Sequence, residues 1–397
     1  MANITLNVTG DLFLGRRIEP IALNNPVSLF DKKVLDLFNS SDFNIINLES
    51  PLTNAGHKQK IKKTGPNLKA DPKTIGVLDV LKTNLVTLAN NHIYDYGDRG
   101  LSETLKLCKE HHIDTVGAGL TLAEASKIYF KNFGTLSVAI VNIAENEWCN
   151  ANETMGGANP MNLIANSRSI AEAKNLADIV ILIIHGGHEY YHFPSPRMVD
   201  QYRFYAELGA SIIINHHSHF ISGYEIFNNV PIFYGLGNFL FDSDTSSKEW
   251  CEGLLLNIQI NDKNELNWKL EPFTQGNGDM KVKLLEGKQK SDMDKKLENI
   301  NLIIADKKKL KEKFDLLVEK QKKEVLSIFS TSYFLKYKYF RSAIKKLGME
   351  FLFLRHDQLK SILNHSRCEA HRDIAFEILN NYINSDNNSN TLKNFKE

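Results

Sequence analysis

The chain has 397 residues, 48 Lys and Arg against 47 Asp and Glu, 42% hydrophobic residues and only 10 prolines. That length exceeds what one hydrophobic core usually serves, and the apolar content excludes wholesale disorder, so one large domain with an appendage is expected. Four cysteines (Cys108, Cys149, Cys251 and Cys368) lie far apart with no C-x-x-C pairing, which argues against a disulfide scaffold or a zinc ribbon and fits a reducing compartment.

The start, Met1 to Leu6, has neither a basic n-region nor an apolar h-region. No run approaches the roughly 20 apolar residues that span a bilayer, so the expectation is a soluble, cytoplasmic chain without a transmembrane segment. The near-zero net charge hides an asymmetry. Residues 281–397 carry 25 Lys and Arg against 16 Asp and Glu, leaving 23 against 31 in residues 1–280. An acidic body with a basic tail suggests two units, placed at 1–285 and 286–397.

In chain order, Ile4–Thr9 reads as a strand, Ser28–Phe38 as a helix and Phe43–Leu48 as a strand. Pro72–Leu81 has a helix's start and period, Leu85–Leu88 is a strand, Leu101–His111 a helix and Thr115–Gly117 a short strand. Ser137–Ile143 and Ile179–Ile184 are continuous apolar runs, the signature of strands buried on both faces. Arg197–Leu208 is helical and Ser211–Ile214 a further strand. From Tyr224 the pattern changes, and Val230–Gly235, Gly253–Ile260 and Asn267–Pro272 look like one antiparallel set. The alternation predicts an α/β fold with mixed sheets, two of them packed together and flanked by helices. Beyond Lys290 the chain is helical and lysine-rich, Tyr333–Phe353 is basic and aromatic, and Asn384–Glu397 is polar enough to fray. The aromatic stretch reads as a helix buried on the body, with peripheral contact to membrane, polyanion or nucleic acid as the alternative.

Seven of the 13 histidines fall in three clusters: His92; His185, His188 and His192; His216, His217 and His219. Each cluster directly follows an apolar strand candidate. Ile4–Thr9 runs into Gly10-Asp11, Phe43–Leu48 into Glu49, and Leu85–Leu88 into Asn90-Asn91-His92. Ile179–Ile184 runs into His185 and Ser211–Ile214 into His216 to His219. Singly, such residues are turns or caps. Together they deliver Asp, Glu, Asn and His to the strand ends where α/β sheets build ligand sites. Carboxylates and imidazoles without thiolate suit two divalent ions such as Mn, Fe or Zn, and a neighbouring histidine can move a proton.

At these residues the sequence resembles the CapA family, poly-γ-glutamate capsule-biosynthesis proteins of the calcineurin-like metallophosphoesterase superfamily. The likeness runs from Gly10-Asp11-Leu12-Phe13-Leu14-Gly15-Arg16 and Asn47-Leu48-Glu49-Ser50-Pro51-Leu52 to Asn90-Asn91-His92 with Asp95-Tyr96-Gly97, then Gly117-Ala118-Gly119. It closes with His185-x-Gly187-x-Glu189, His217-x-His219 and Tyr234 to Asp242. The resemblance implies a four-layer α/β/β/α sandwich of two mixed sheets and a dinuclear metal centre. It implies Asp11 and Glu49 as carboxylate ligands, with the bridging role open between them. Asn91, His185 and His217 would hold one ion and His219 the other. His92 would donate a proton or stabilise the transition state, and Glu189 would stand behind the ligands or face substrate. Arg16, whose guanidinium fork suits phosphate and carboxylate, would orient an anion, and Asn238 would approach the metals.

Two departures stand out. Phe13 occupies the position where the superfamily has a histidine ligand, and Asn215 and Ser218 replace a common glycine and proline around the last histidines. The resemblance implies a hydrolase serving capsule or surface-polymer synthesis, acting on an anionic small molecule or polymer. Its alternative is a non-catalytic accessory subunit working with capsule-synthesis partner proteins. A specific nucleic-acid role is disfavoured because residues 1–280 are acidic.

Overall fold

The computed structural model describes residues 4–243, 247–276, 278–329, 338–347 and 356–388. Two mixed sheets pack face to face. The eight-stranded sheet runs Lys283–Leu284, Leu266–Thr274, Glu252–Ile260, Ile4–Phe13, Phe43–Leu48, Leu85–Thr87, Asp114–Val116, with Asn238–Phe241 also pairing with Ile4–Phe13. The six-stranded sheet runs Tyr224–Phe227, Val230–Phe233, Ile212–His216, Ile179–His185, Leu136–Ala144, Tyr129–Phe133. Within each, a parallel core is flanked by antiparallel strands.

Side-chain alternation builds the layers. In Ile179–His185 the odd positions Ile179, Ile181 and Ile183 enter the core between the sheets, while Val180, Leu182 and Ile184 face the outer helices. In Phe43–Leu48, Phe43 and Ile45 point inward and Ile46 and Leu48 outward. Helices Lys32–Ser40 and Gly97–Glu110 cover the first sheet, and Leu163–Leu176 and Pro196–Glu207 the second. The result is the four-layer α/β/β/α order. The C-terminal helices join it: Gly287–Ala305 sends Met293 and Leu297 into the central core and Ile300 and Ile304 into the outer one.

The segment after Tyr224 differs from the single antiparallel set expected. Val230–Phe233 runs parallel to Ile212–His216 in the six-stranded sheet, whereas Glu252–Ile260 and Leu266–Thr274 form a hairpin in the other. Local alternation marks strands but not their partners. Pro72–Leu81 begins as a 3-10 turn, Pro72–Ile75, before a short helix, Gly76–Val80. Of the basic aromatic stretch, Tyr333–Tyr337 and 348–353 lie outside the described residues, and Lys338–Leu347 is helical. The polar C-terminal stretch remains helical through Asn388, the remainder lying outside the described residues. All four cysteines are free and buried. Among the described residues, no helix is long and apolar enough to cross a membrane.

Candidate metal centre

The parallel strands of both sheets end at one edge, and there the inward parity continues into polar residues. Asn47 and Glu49 follow Phe43 and Ile45, and His185 follows Ile181 and Ile183. The first strand needs an extra device. Leu6 and Val8 face inward but Leu12 and Leu14 face outward, because the pairing with Phe43–Leu48 shifts register between Val8 and Asp11. Such an irregularity re-aims a side chain, here putting Asp11 on the inner side. Gly10 permits it, since a Cβ there would lie 1.7 Å from the Gly237 carbonyl oxygen. At the end of Ile212–His216 the turn is made by His217 and His219 themselves, both with left-handed φ, +85° and +56°. Non-glycine residues adopt that conformation infrequently, histidine being among the more tolerant.

Asp11 and Glu49 are fully buried, and His185, His217 and His219 are nearly so. Their donor atoms form two groups, Glu49–His185–His217 and Asp11–Glu49–His219, each within 4.8 Å. Glu49 belongs to both groups. Asn91 Oδ1 stands 3.1 Å from His185 Nε2, completing the first group, and His217 Nδ1 is also 3.1 Å from His185 Nε2. Asp11 accepts hydrogen bonds from the His217 N–H (3.1 Å) and from Asn47 Nδ2 (2.7 Å). Asn238 fastens the second group, its Oδ1 2.9 Å from His219 Nδ1.

The electrostatics are compatible with a bound cation. Burial, then the neighbouring Asp11 carboxylate, pushes the Glu49 pKa well above its ordinary value. Burial alone would raise Asp11 too, yet the His219 contact and the charges of His185 and His216 take it well below the usual carboxylate range. Both Glu49 oxygens and His185 Nδ1 are buried without a hydrogen-bond partner. Buried acceptors are seldom left so, and two divalent ions would satisfy them and neutralise the paired carboxylates. The donor set fits Mn, Fe or Zn.

His92 stands beside the metal groups on the turn after Leu85–Thr87. Its Nδ1 meets Asp95 Oδ2 at 2.7 Å, leaving Nε2 for the cavity that His92 lines. Asp95 also pairs with Lys63, whose side chain is only 4% exposed, and accepts the Leu68 N–H at 2.6 Å. Burial, then the Lys63 ammonium, lowers the His92 pKa against the pull of Asp95. Glu189 lines the same cavity and is exposed to it. Arg16 is exposed, in a left-handed conformation, and does not line that cavity; its charge reaches Tyr190 and Asp242. Tyr190 walls the cavity and stacks on Trp250, whereas Tyr191 packs on Phe193 and His192 Nδ1 bonds the Ile221 carbonyl.

Asn215 and Phe13 each have a structural place. Asn215 Nδ2 donates to the carbonyls of Gly186, His216 and Tyr234, and its Oδ1 accepts from the Tyr202 hydroxyl, so it staples the turn that carries the histidines. Phe13 joins Phe241 and Trp250 in an aromatic cluster, and the same two rings pack on His219.

Three residues were not singled out by sequence. Glu147 Oε1 lies 3.5 Å from His217 Nε2 and from Asn91 Nδ2. It follows strand Leu136–Ala144 in Glu145-Asn146-Glu147, where the same strand-end pattern could have found it. Lys63, in a lysine-rich loop, and Trp250 carry no local signal.

The four-layer sandwich and the paired carboxylate–imidazole groups at its strand ends define a candidate dinuclear metalloprotein. The family model for bacterial capsule synthesis protein PGA_cap matches residues 5–243, and the chain belongs to that family. The PGA biosynthesis protein CapA of Bacillus subtilis (strain 168) is 31% identical over 243 residues, 60% of this chain and 63% of that one. The capsule biosynthesis protein CapA of Bacillus anthracis is 30% identical over 247 residues, 60% of each chain. The chain thus spans under two thirds of the length of these relatives. A Staphylococcus aureus structure described as a "putative 5′-nucleotidase", in complex with α-ketoglutarate, aligns with a TM-score of 0.45 at 15% identity, covering 75% of this chain and 58% of that one.

Proposed function

We propose that this capsule-synthesis family member is a metal-dependent hydrolase of surface-polymer biosynthesis, cleaving a phosphoester or a γ-glutamyl amide at a dinuclear centre. The observation that carries the reading is Glu49: fully buried, without a hydrogen-bond partner, and common to both ligand groups. Asp11, Glu49 and His219 would hold one ion, and Glu49, Asn91, His185 and His217 the other. A bound pair would supply an acidified water and a Lewis acid for the oxygens of the scissile phosphoester or amide. This chain's own residues do the rest. His92 moves a proton at Nε2 to the departing oxygen of a phosphoester or nitrogen of an amide, oriented by Asp95 at Nδ1. Tyr190 walls the cavity and Glu189 faces substrate. Arg16 attracts the anion from outside the cavity.

A second reading is a non-catalytic accessory subunit that binds an acidic polymer or a synthetase partner. The observation favouring it is Phe13, an apolar ring where the superfamily has a ligand.

The test is elemental analysis of protein purified without chelator, with hydrolysis of bis(p-nitrophenyl) phosphate and γ-glutamyl p-nitroanilide measured alongside. About two ions per chain are expected on the two-metal model, falling below one in the Glu49→Ala, His217→Ala double variant. His92→Ala should keep its metal and lose about 100-fold in turnover. Fewer than one ion after Mn and Zn addition refutes the hydrolase. Co-purification with a ligase-like partner, without hydrolysis, supports the accessory subunit instead.

A further inference from the structure

The cavity over the metal centre has two walls of different origin. Its volume is about 460 Å³, within the range of small-molecule sites. One wall is the body, with Asn91, His92 and His217; the other comes from the C-terminal helices, with Gln321, Asn364 and His371. The family match ends at residue 243, so the second wall belongs to the part of the chain that the family model does not describe.

That wall is held by a specific buried clamp. Arg197 donates from Nη2 to Glu145 Oε1 (2.7 Å) and from Nε to Asp373 Oδ2 (2.8 Å), and Ser195 Oγ also donates to Asp373 (2.8 Å). Glu369 accepts from the Asn146 N–H (2.8 Å) and Nδ2 (2.6 Å). The second Glu145 oxygen takes the Ala370 N–H at 3.3 Å, capping helix Glu369–Asn388. The clamp residues Glu145 and Asn146 stand directly beside Glu147 at the metal site.

Residues of the cavity wall carry buried polar atoms with nothing to bond. Asn364, 5% exposed, has an unpartnered Oδ1, and His188, 7% exposed, an unpartnered Nε2. His371 Nδ1 is unpartnered as well. Leaving such groups buried and unmet is costly, so they point to a ligand that meets them. Burial keeps His188 uncharged at neutral pH, and Asn364 and Gln321 are amides, so these groups exchange hydrogen bonds without charge. Carboxylates line the cavity at Glu147 and Glu189, while Lys63 is committed to Asp95. A substrate bearing further carboxylates would meet repulsion there.

We propose that the C-terminal helices form the substrate-recognition wall of this site, and that the site takes a small phosphoester whose other half is neutral and rich in hydroxyl or amide groups. Asn364, His371 and His188 read that half while the metal groups hold the phosphoryl end. The inference rests on the phosphoester reading of the metal centre.

The test is calorimetric titration of the Mn-loaded full chain with inorganic phosphate, glucose 6-phosphate and 3-phosphoglycerate. Glucose 6-phosphate should bind about ten-fold or more tighter than inorganic phosphate, the worth of one or two hydrogen bonds. The carboxylate-bearing 3-phosphoglycerate should show no such gain. In the Asn364→Ala, His371→Ala variant, checked for an unchanged melting curve, glucose 6-phosphate should fall to the affinity of inorganic phosphate. Gln321→Leu, a milder change on the same wall, should move in the same direction. No gain for glucose 6-phosphate in the unaltered protein, or a gain that survives the double variant, overturns the recognition wall while leaving the metal centre standing. Absence of any phosphate binding removes the phosphoester reading and this proposal with it.

Discussion

His188 provides a direct check on how tightly the C-terminal helices seal the cavity. Burial, reinforced by the charges of Arg197 and His371 against the pull of Glu145, takes its pKa from the ordinary 6.5 down to about 3. The unfolded chain binds a proton at this imidazole below pH 6.5, and the folded chain does not. The contribution is therefore intact above pH 6.5 and is lost progressively as pH falls toward 3, by at most about 1.4 kcal/mol per pH unit. Between pH 6.5 and 4.5 the loss comes to about 2 kcal/mol. His188→Gln keeps a polar side chain of similar size but does not titrate. Urea unfolding of chelator-treated wild type and variant at both pH values isolates the effect, because every other titrating group is common to the two proteins. The wild type should lose about 2 kcal/mol more than the variant across that interval. Equal losses would mean that the imidazole takes its proton in the folded state, and that the helices do not keep water from this wall.

Two further outcomes follow from buried ion pairs. Arg197→Met leaves the Glu145 and Asp373 carboxylates, 3% and 12% exposed, without their shared cation. Unfolding free energy should fall by about 3–5 kcal/mol in denaturant titration, and a change below about 1 kcal/mol would show that the clamp holds nothing. Lys63→Met removes the ammonium beside His92 and Asp95. Phosphodiester turnover should drop at least about ten-fold through the misplaced acid–base group while metal content stays constant; lost metal with retained turnover per ion would reverse that assignment.

Most of the site was legible because strand-end chemistry is local. An apolar run followed by Asp, Glu or His reports both the strand and what it delivers, and Asp11, Glu49, His185, His217 and His219 converge as that pattern implies. What the pattern cannot carry is parity. Asp11 faces the site only because the first strand slips register after Val8, a consequence of the close approach of Gly10 to Gly237. Sheet membership was hidden for a similar reason. Val230–Phe233 and Glu252–Ile260 are both apolar runs, and long-range pairing decides which sheet each joins. The second wall of the cavity escaped because its residues, Gln321, Asn364 and His371, are spread over three helices with no spacing that links them.

Phe13 bears directly on the proposed dinuclear centre, and it can be tested in the direction of gain. Residues 11 and 13 share one side of the strand, so the Phe13 ring lies on the Asp11 side, 4.9 Å from Phe241 and within the cluster that includes Trp250. Phe241 and Trp250 in turn pack on His219, at 5.0 and 4.7 Å between centroids. An ion held by Asp11, Glu49 and His219 would therefore have an apolar boundary on this side, and it should be the weaker of the two. Phe13→His places an imidazole at that boundary. The smaller, polar ring should cost about 1–3 kcal/mol of stability through lost packing and desolvation. In return, the second step of a Zn titration should tighten at least about ten-fold while the first, at His185 and His217, stays where it was. If both steps are unchanged, Phe13 lies outside the reach of the second ion, and the aromatic cluster serves only to hold His219 in place.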